Sequence, residues 1–521
     1  MRLAAGRLRE LGEATLLKRS LSREVHRLEL SREGMPGLIV KWHKARGPLD
    51  KLKYLLARSR ARVEWDVSHA LEGRGIPVVR VIGFAEGRSR GSVLRDSVSL
   101  CEELPGAQRL SVALCDPLRQ EKLLTAAVRL IARMHANGVE HTDLHAGNLL
   151  VSAGGELVVA DLHAVNVGGR VGWSRRVACL AKFLWSIEAV LNQPARAAWM
   201  GQYGEEVGLG ASARAQLASQ VERKIERLRM QRFRSRTRRC LMNSSRFCLD
   251  KPPGRRIYRQ RSIALDALAG LIGAHRADVR QHAPSVMSQR KRSAVTQQKL
   301  GHEDVCVKSF SVGGLVGRLS ALAWRSRGKR AWIAANGLVA RKVPTAEPLA
   351  LVEELGSGES FLVTRYIRDA VPLKLWVKGP GAECPAASRR ELVDAVAGVV
   401  RRLHEARVYA DDLSAKNVLV RRAGSQWEAF IIDVDNTQLW RRLTWRRRLW
   451  NLAQLNDLTE RVSPGERCRF LRAYAGPDWP LFRRDAKAII ELTQQRRERY
   501  RRRMDRIASR VPSAGACVIM E

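Results

Sequence analysis

Apolar positions along this chain change their period in a few places, and each change marks an element. In RLIARMHANGV (129–139) they fall at helical spacing, and Gly138 supplies the stop. The polar stretch HTDLHAGN (141–148) follows. LLVS and ELVVADLH are then short apolar runs split by AGG, which predicts a hairpin. Upstream, GLIVKWHK (37–44) is an apolar run interrupted by Lys41. RVEWDVSHALEGRGIPVV (62–79) has helical spacing that ends before Pro77, with Glu64 near its start. SVSLCEELPG (97–106) reads as a strand running into a turn. In the middle of the chain, 211–233 predicts a long basic helix, and SRFCLDKPPGRRIYRQR (245–261) a strand, a Pro-Pro-Gly turn and a strand. Strands and helices are mixed throughout, an α+β pattern.

This patterning puts Asp143 and Asn148 on a loop after a helix and Asp161 at the end of a strand. Phosphoryl transfer needs a carboxylate to orient the attacking hydroxyl and accept its proton, plus oxygen ligands for magnesium on the phosphates. Asp143 suits the first task, Asn148 and Asp161 the second. The spacing H-x-D-x-x-x-x-N, with an aspartate thirteen residues on, resembles the catalytic lobe of protein kinases, with DLH in place of D-F-G. That resemblance implies ATP and Mg2+, a strand lysine for the phosphates, here Lys41, and a helical glutamate to hold it, here Glu64. It makes 97–106 the strand and hinge beside the adenine. KRSLSREV (18–25) stands where a glycine-rich loop belongs and has no glycine. Backbone amides, Ser20, Ser22 or basic side chains are left to cover the phosphates. One competing reading is a metal cluster of His141, His145, His163 and Asp161, but it leaves Asn148 and the hairpin spacing unexplained. The other is a plain structural loop.

The same features recur at a nearly constant offset. Lys308 lies 267 residues after Lys41, and WIAANGLVARKVP (332–344) parallels WDVSHALEGRGIP (65–77) at the same 267. VYADDLSAKNVLV (408–420) parallels VEHTDLHAGNLLV (139–151) at 269, which maps Asp143 to Asp412 and Asn148 to Asn417. FIIDVDN sets Asp433 opposite Asp161 at 272, and WRRRLWNLA (445–453) parallels WSRRVACLA (173–181). The drift is what small loop insertions produce. The expected fold is therefore two tandem protein-kinase-like bilobal domains, residues 1–237 and 238–521, each with a β-rich and a helical lobe. The copies are unequal: Glu64 maps to Ala331, His141 to Ala410 and His145 to Ser414. The first copy is expected to be the better catalyst. In the second, Lys308 needs Glu303 or Asp304 as a substitute partner, or the copy is a pseudokinase.

A length of 521 residues is too great for one ordinary core, and 45% hydrophobic residues exclude a disordered chain. The net charge of +41 points to polyanionic partners: nucleic acid, an acidic membrane surface or a phosphorylated substrate. Basic tracts stand at 231–239, 440–450 and 495–504, two of them with Trp or Tyr interleaved, and such tracts suit an anionic leaflet or a solvated helix face. No nucleic-acid-binding module is visible, so nucleic acid is not expected as a partner. The nine cysteines are scattered singly with no C-x-x-C, which fits a reducing cytosol. The N-terminal stretch lacks a signal-peptide apolar core, no window of about 18 residues is free of charge, and the cysteine of CVIME stands five from the end, missing a prenylation box. A cytoplasmic protein, peripheral to a membrane, is expected.

Histidine at position 145, as in D-L-H-x-G-N, is commoner in kinases of small molecules, sugars and lipids than in protein kinases. With Glu64-Trp65, the helix after it, GIPVV and a strand, the first copy resembles the bacterial lipopolysaccharide kinase family, which phosphorylates Kdo or heptose of the inner core. IIDVDN, NLAQLN (451–456) and RFLRAY (469–474) give the second copy the same resemblance. It implies ATP-dependent phosphorylation of a sugar hydroxyl on a lipid-linked glycan, at the cytoplasmic face of the inner membrane. Carried over residue by residue, it makes Asp143 the base, Lys41 and Glu64 the phosphate pair, and Asn148 and Asp161 the metal ligands. A regulatory protein serine/threonine kinase and a scaffold of two pseudokinases are the alternatives.

Overall fold

The computed structural model describes residues 12–20, 23–30, 37–45, 54, 57–89, 93–311, 326–439, 443–457 and 461–508. Ser22 and the CVIME terminus lie outside them. The chain divides into two compact units, Met1–Arg229 and Met230–Glu521.

The first unit opens with β1 (Gly12–Arg19), β2 (Arg23–Leu30) and β3 (Leu38–Lys44). Next come α1 (Arg60–Glu72), β4 (Val81–Arg88) and β5 (Leu94–Glu102). The strands form one antiparallel sheet in the order β1-β2-β3-β5-β4. Its register sets Lys41 opposite Ser99. Ser59 begins α1, its hydroxyl accepting from the Arg62 N–H at 3.1 Å. Ala61, Glu64, Ser68 and Leu71 recur every three or four residues and are all buried, so the apolar face of the helix carries one carboxylate into the interior.

The helical part of this unit starts with α2 (Pro117–Ala136), which has proline in its first turn and Asp116 as its cap. At its end Gly138 has φ +71°, and a Cβ there would sit 2.2 Å from the Gly168 carbonyl oxygen, so only glycine makes the turn. After the two-residue β6 (Gln108–Arg109), short strands frame the polar loop: β7 (Val139–His141), β8 (Leu149–Val151), β9 (Leu157–Val159) and β10 (Val165–Val167). The expected hairpin is β8–β9, and β7 pairs with β10. Val79 N–H donates to the Val159 carbonyl at 3.0 Å, and Val159 N–H to that of Pro77 at 2.9 Å. These bonds tie the segment after α1 to the strand that leads into Asp161. Leu144, Ala146, Leu149 and Leu162 are buried in one core with Leu71, Ile131, Met134 and Phe183. Burying such a Leu or Phe side chain contributes about 1.5–3 kcal/mol, so alternate residues nail the polar loop to the core and leave Asp143 and His145 facing out. Three helices complete the unit, α3 (Trp173–Ser186), α4 (Gln193–Glu206) and the long basic α5 (Ala211–Arg238), whose last residues pass the division.

The second unit carries β11 (Phe247–Asp250), β12 (Arg255–Gln260), α6 (Leu265–Gln281), β13 (Val286–Arg290), β14 (Ser293–Leu300) and β15 (Glu303–Phe310). Then follow α7 (Arg327–Ala340), β16 (Pro348–Glu354) and β17 (Ser360–Arg365). Here the antiparallel sheet has seven strands, ordered β11-β12-β16-β17-β15-β14-β13. The strand–turn–strand read at 245–261 supplies its first two. Ser326 caps α7 as Ser59 caps α1. Beyond the two-residue β18 (Val371–Pro372) lie α8 (Leu373–Lys378), α9 (Ala386–Glu405), β19 (Tyr409–Ala410), β20 (Val418–Ala423), β21 (Gln426–Ile431) and β22 (Thr437–Gln438). The longer helices that close the unit are α10 (Trp445–Leu455), α11 (Pro464–Ala475) and α12 (Ala486–Ala508). One contact recurs in both units: His135 Nδ1 lies 2.8 Å from Tyr203 Oη, and His404 Nδ1 lies 2.8 Å from Tyr474 Oη. Among the described residues no helix is long and apolar enough to cross a membrane.

Candidate functional site

Lys41 sits in the middle of the first sheet, and its Nζ reaches Glu64 Oε2 at 3.2 Å. The Ser99 hydroxyl donates to the same carboxylate oxygen at 2.7 Å, which the β3–β5 register makes possible. The Glu64 side chain has no solvent exposure. Burial favours its neutral form, but Lys41 and His163 outweigh that and hold its carboxyl down at about 2. Burial likewise works against the Lys41 charge, and Glu64 more than restores it. The other oxygen, Glu64 Oε1, is buried with no hydrogen-bond partner among the described residues.

Asp161 follows β9 in a left-handed backbone conformation, φ 60° and ψ 53°, which costs a non-glycine residue energy and turns the side chain off the strand direction. His163 Nδ1 stands 3.0 Å from Asp161 Oδ1 and 3.8 Å from Glu64 Oε1. Arg23 Nη1 donates to Asp161 Oδ1 at 2.8 Å. Burial alone would raise the Asp161 carboxyl; His163 and Arg23 hold it far below the usual carboxylate range. Asp161 first and Glu64 second push the His163 imidazole up to about 9. Glu64, Asp161 and His163 bring one ligand atom each within 4.8 Å of one another.

Asp143 is open to solvent, its side chain 61% exposed. Its loop is held from behind. The Asn148 amide donates from Nδ2 to the Asp143 carbonyl at 3.0 Å, so Asn148 Oδ1 is the atom left to face a ligand. Asp143 N–H donates to His141 Nδ1 at 3.2 Å, and His141 Nε2 lies 3.2 Å from the Ala160 carbonyl. Buried His141, its pKa pushed down to about 4 mainly by burial, thus links the Asp143 loop to the strand that ends at Asp161. His145 Nδ1 accepts from the Gly147 N–H, with its Nε2 4.0 Å from Asp143 Oδ2. Lys182, on α3, bonds the Thr142 carbonyl and sets its Nζ 3.8 Å from Asp143 Oδ1.

The second unit repeats part of this. Asn417 Nδ2 donates to the Asp412 carbonyl at 2.9 Å and to Asp412 Oδ2 at 3.1 Å. Lys416 lies 3.0 Å from Asp412 and, against the effect of burial, holds its carboxyl low. Asp433 is left-handed like Asp161, at φ 58°. Lys308 is ion-paired to Asp433, and its Nζ is 3.5 Å from Asp435 Oδ1. The suggested substitutes do not take it: Glu303 is bound by Arg365 at 2.7 Å and Asp304 by Arg368 at 2.6 Å. Both carboxylates stand near the other end of β15 from Lys308, where arginines from β17 and its following turn reach them.

The structure therefore brings Lys41, Glu64 and Asp161 into one cluster and secures Asp143 to Asn148. It does not gather the alternative histidine set. Both ring nitrogens of His141 are engaged by backbone, at Asp143 and Ala160, so only His163 of the three histidines joins Asp161, together with Glu64. Ser20 is spent on its own turn, its hydroxyl donating to the Arg23 carbonyl and accepting the Arg23 N–H. Of the basic side chains in KRSLSREV, Arg23 is the one that reaches Asp161. Ser99, Lys182 and Asp435 were not singled out from the sequence. Only Asp435, inside the DVD tripeptide, leaves a mark there: a second carboxylate where the first copy has His163.

No curated protein matches the chain. A solved structure described as WaaP in complex with acyl carrier protein is similar at 23% identity, over 43% of this chain and 91% of that one, with a TM-score of 0.33. A family model matches residues 41–168, which hold the whole Lys41–Asp161 set, and again residues 281–474, which hold Lys308, Asp412, Asn417 and Asp433. The chain belongs to the lipopolysaccharide kinase (Kdo/WaaP) family.

Proposed function

We propose that this protein transfers the γ-phosphoryl group of ATP to a sugar hydroxyl of the lipopolysaccharide inner core, Kdo or heptose, at the cytoplasmic face of the inner membrane. The observation that carries the reading is the buried Lys41–Glu64 pair set beside Asp161, in the same unit as an exposed Asp143. Lys41, kept charged by Glu64, would hold phosphate oxygens. Asn148 Oδ1 and the Asp161 carboxylate are hard oxygen donors of the kind magnesium takes, and Glu64 Oε1, 3.8 Å from His163 Nδ1, has no hydrogen-bond partner among the described residues. Bound there, magnesium would neutralise charge building on the phosphates. Asp143 would orient the sugar hydroxyl and accept its proton. Lys182 and His145, at 3.8 and 4.0 Å, would keep that carboxylate aimed. Arg23 stands where a glycine-rich loop belongs: it pairs with Asp161, and would turn to the phosphates if Asp161 held magnesium.

We read the chain as a tandem of two kinase-like bilobal domains, with the boundary in the sequence near Arg229. The left-handed aspartates, the capping serines and the two His–Tyr pairs recur at the offsets of the sequence repeat, which supports this. The weaker second copy, with Ala331 where the first has Glu64, favours a supporting or regulatory part for that half. The test is transfer of labelled phosphate from magnesium-ATP to purified lipopolysaccharide core and, in parallel, to protein acceptors. Labelled glycolipid is the expected result. Labelled protein with unlabelled glycolipid would replace this reading with that of a protein kinase.

A further inference from the structure

The second unit has lost the helical glutamate but not a carboxylate for its lysine. Ala331, buried on α7 where α1 has Glu64, offers Lys308 nothing. Two residues after Asp433, where the first unit has His163, stands Asp435. Its side chain is only 7% exposed. One oxygen lies 3.5 Å from Lys308 Nζ, and the other accepts from Arg327 Nη2 at 2.9 Å. Arg327, in the first turn of α7, is itself held over the Phe310 ring, 5.4 Å from its centre. The exchange is reciprocal: Glu and His in the first unit, Ala and Asp in the second, so these two positions together supply one carboxylate to the lysine in each, besides Asp433 in the second. A buried ion cluster gives little stability over an apolar replacement, so stability alone does not account for keeping Lys308, Asp433, Asp435 and Arg327 together. Asp412 and Asn417 keep their mutual contact in the same unit.

We propose that Asp435, braced by Arg327, is the positioning residue for Lys308, and that the second unit thereby holds a magnesium nucleoside triphosphate of its own. This rests on reading the chain as two kinase-like units. Lys308 supplies the phosphate contact, and Asp435 takes over the orienting task Glu64 performs in the first unit. Magnesium with the nucleotide would draw Asp433 away from Lys308, and Asp435 would keep the lysine in place when that happens.

Photolabelling of the full chain with 8-azido-ATP and magnesium, followed by peptide mapping, separates the two units. The wild type is expected to label both. Asp435→Asn should cut labelling of the second unit at least tenfold and leave the first unit as it was. The exchange Ala331→Glu with Asp435→His, which rebuilds the first unit's arrangement, should restore it. A merely structural role for Asp435 would not be rescued in this way. Arg327→Gln, a surface-edge change, serves if the exchange variant does not fold, and is expected to weaken second-unit labelling several-fold. No second-unit label in a wild type whose first unit labels overturns the inference and leaves the proposed kinase intact. Unchanged labelling in Asp435→Asn overturns it too. Absence of label from both units removes the kinase reading with it.

Discussion

Glu64 is the residue on which the first unit's charge balance turns. Its carboxylate is fully buried, and Lys41, Ser99 and His163 all face it. Removing one partner of a buried pair leaves the other uncompensated, at a cost of about 3–5 kcal/mol. Glu64→Ala is therefore expected to lower unfolding stability by about that amount in a denaturant titration and to raise the KM for ATP. Arg23 makes a prediction of two signs. Its guanidinium competes with any cation for Asp161, so Arg23→Ala should lower the magnesium concentration giving half-maximal activity. If Arg23 then turns to the phosphates, the same change should raise the KM for ATP. Lys41, Glu64, Asp143, Asn148 and Asp161 could be named from the sequence because each stands at a fixed place in a short motif or in the order of elements. Arg23 could not be paired with Asp161, since they lie 138 residues apart. Ser99 could not be found either, because its place follows from the β3–β5 register, which no local pattern sets. The partner of Lys308 was misplaced for the same reason. Sequence proximity suggested Glu303 or Asp304, and the fold delivers Asp433 and Asp435.

Among the elements, the helices at 62–76, 129–136 and 211–233 were legible, and the sheet orders were not. The apolar spacing of 62–76 and 129–136 marks α1 and α2, and Gly73 and Gly138 stop them within a residue or two. Strand order β1-β2-β3-β5-β4 depends on β5 returning between β3 and β4, which periodicity does not encode. The joining of β11 and β12 to β16, about 90 residues on, was equally hidden, although the hairpin itself was plain. A packing feature of α2 and α9 gives a prediction here. Burial holds His135 neutral, its pKa pushed down to about 3, and His404 neutral at about 4, although the Asn451 hydrogen bond works the other way on His404. An unfolded histidine titrates near 6.5, so below that pH the unfolded chain binds protons that the folded one refuses. The stability these residues give is whole above about pH 6.5. It falls by about 1.4 kcal/mol per pH unit for each histidine as pH drops toward 4. Denaturant titrations between pH 7 and 5 should show this slope, and His404→Gln should reduce it.

For the whole molecule, +41 charges are the dominant fact. They are concentrated in part on α5, whose sequence carries Arg at 232, 234, 236 and 238, and on α12, which carries RRERYRRR. Each Lys or Arg near an anionic leaflet adds about 1 kcal/mol of attraction. The protein should sediment with vesicles rich in anionic lipid and not with neutral ones. Raising ionic strength from about 0.1 to about 1 M shortens the Debye length from about 10 to about 3 Å and should release it. Binding that ignored lipid charge would remove the leaflet from the account.

The most direct test of the central claim is the rate of phosphate transfer to lipopolysaccharide core by the wild type, Asp143→Asn and Asp412→Asn, each at saturating magnesium-ATP. A positioned base contributes about 10²–10⁴-fold. Asp143→Asn should lose that factor, and Asp412→Asn should keep most of the rate. A chain that transfers phosphate as fast with Asp143→Asn as without it would contradict the account.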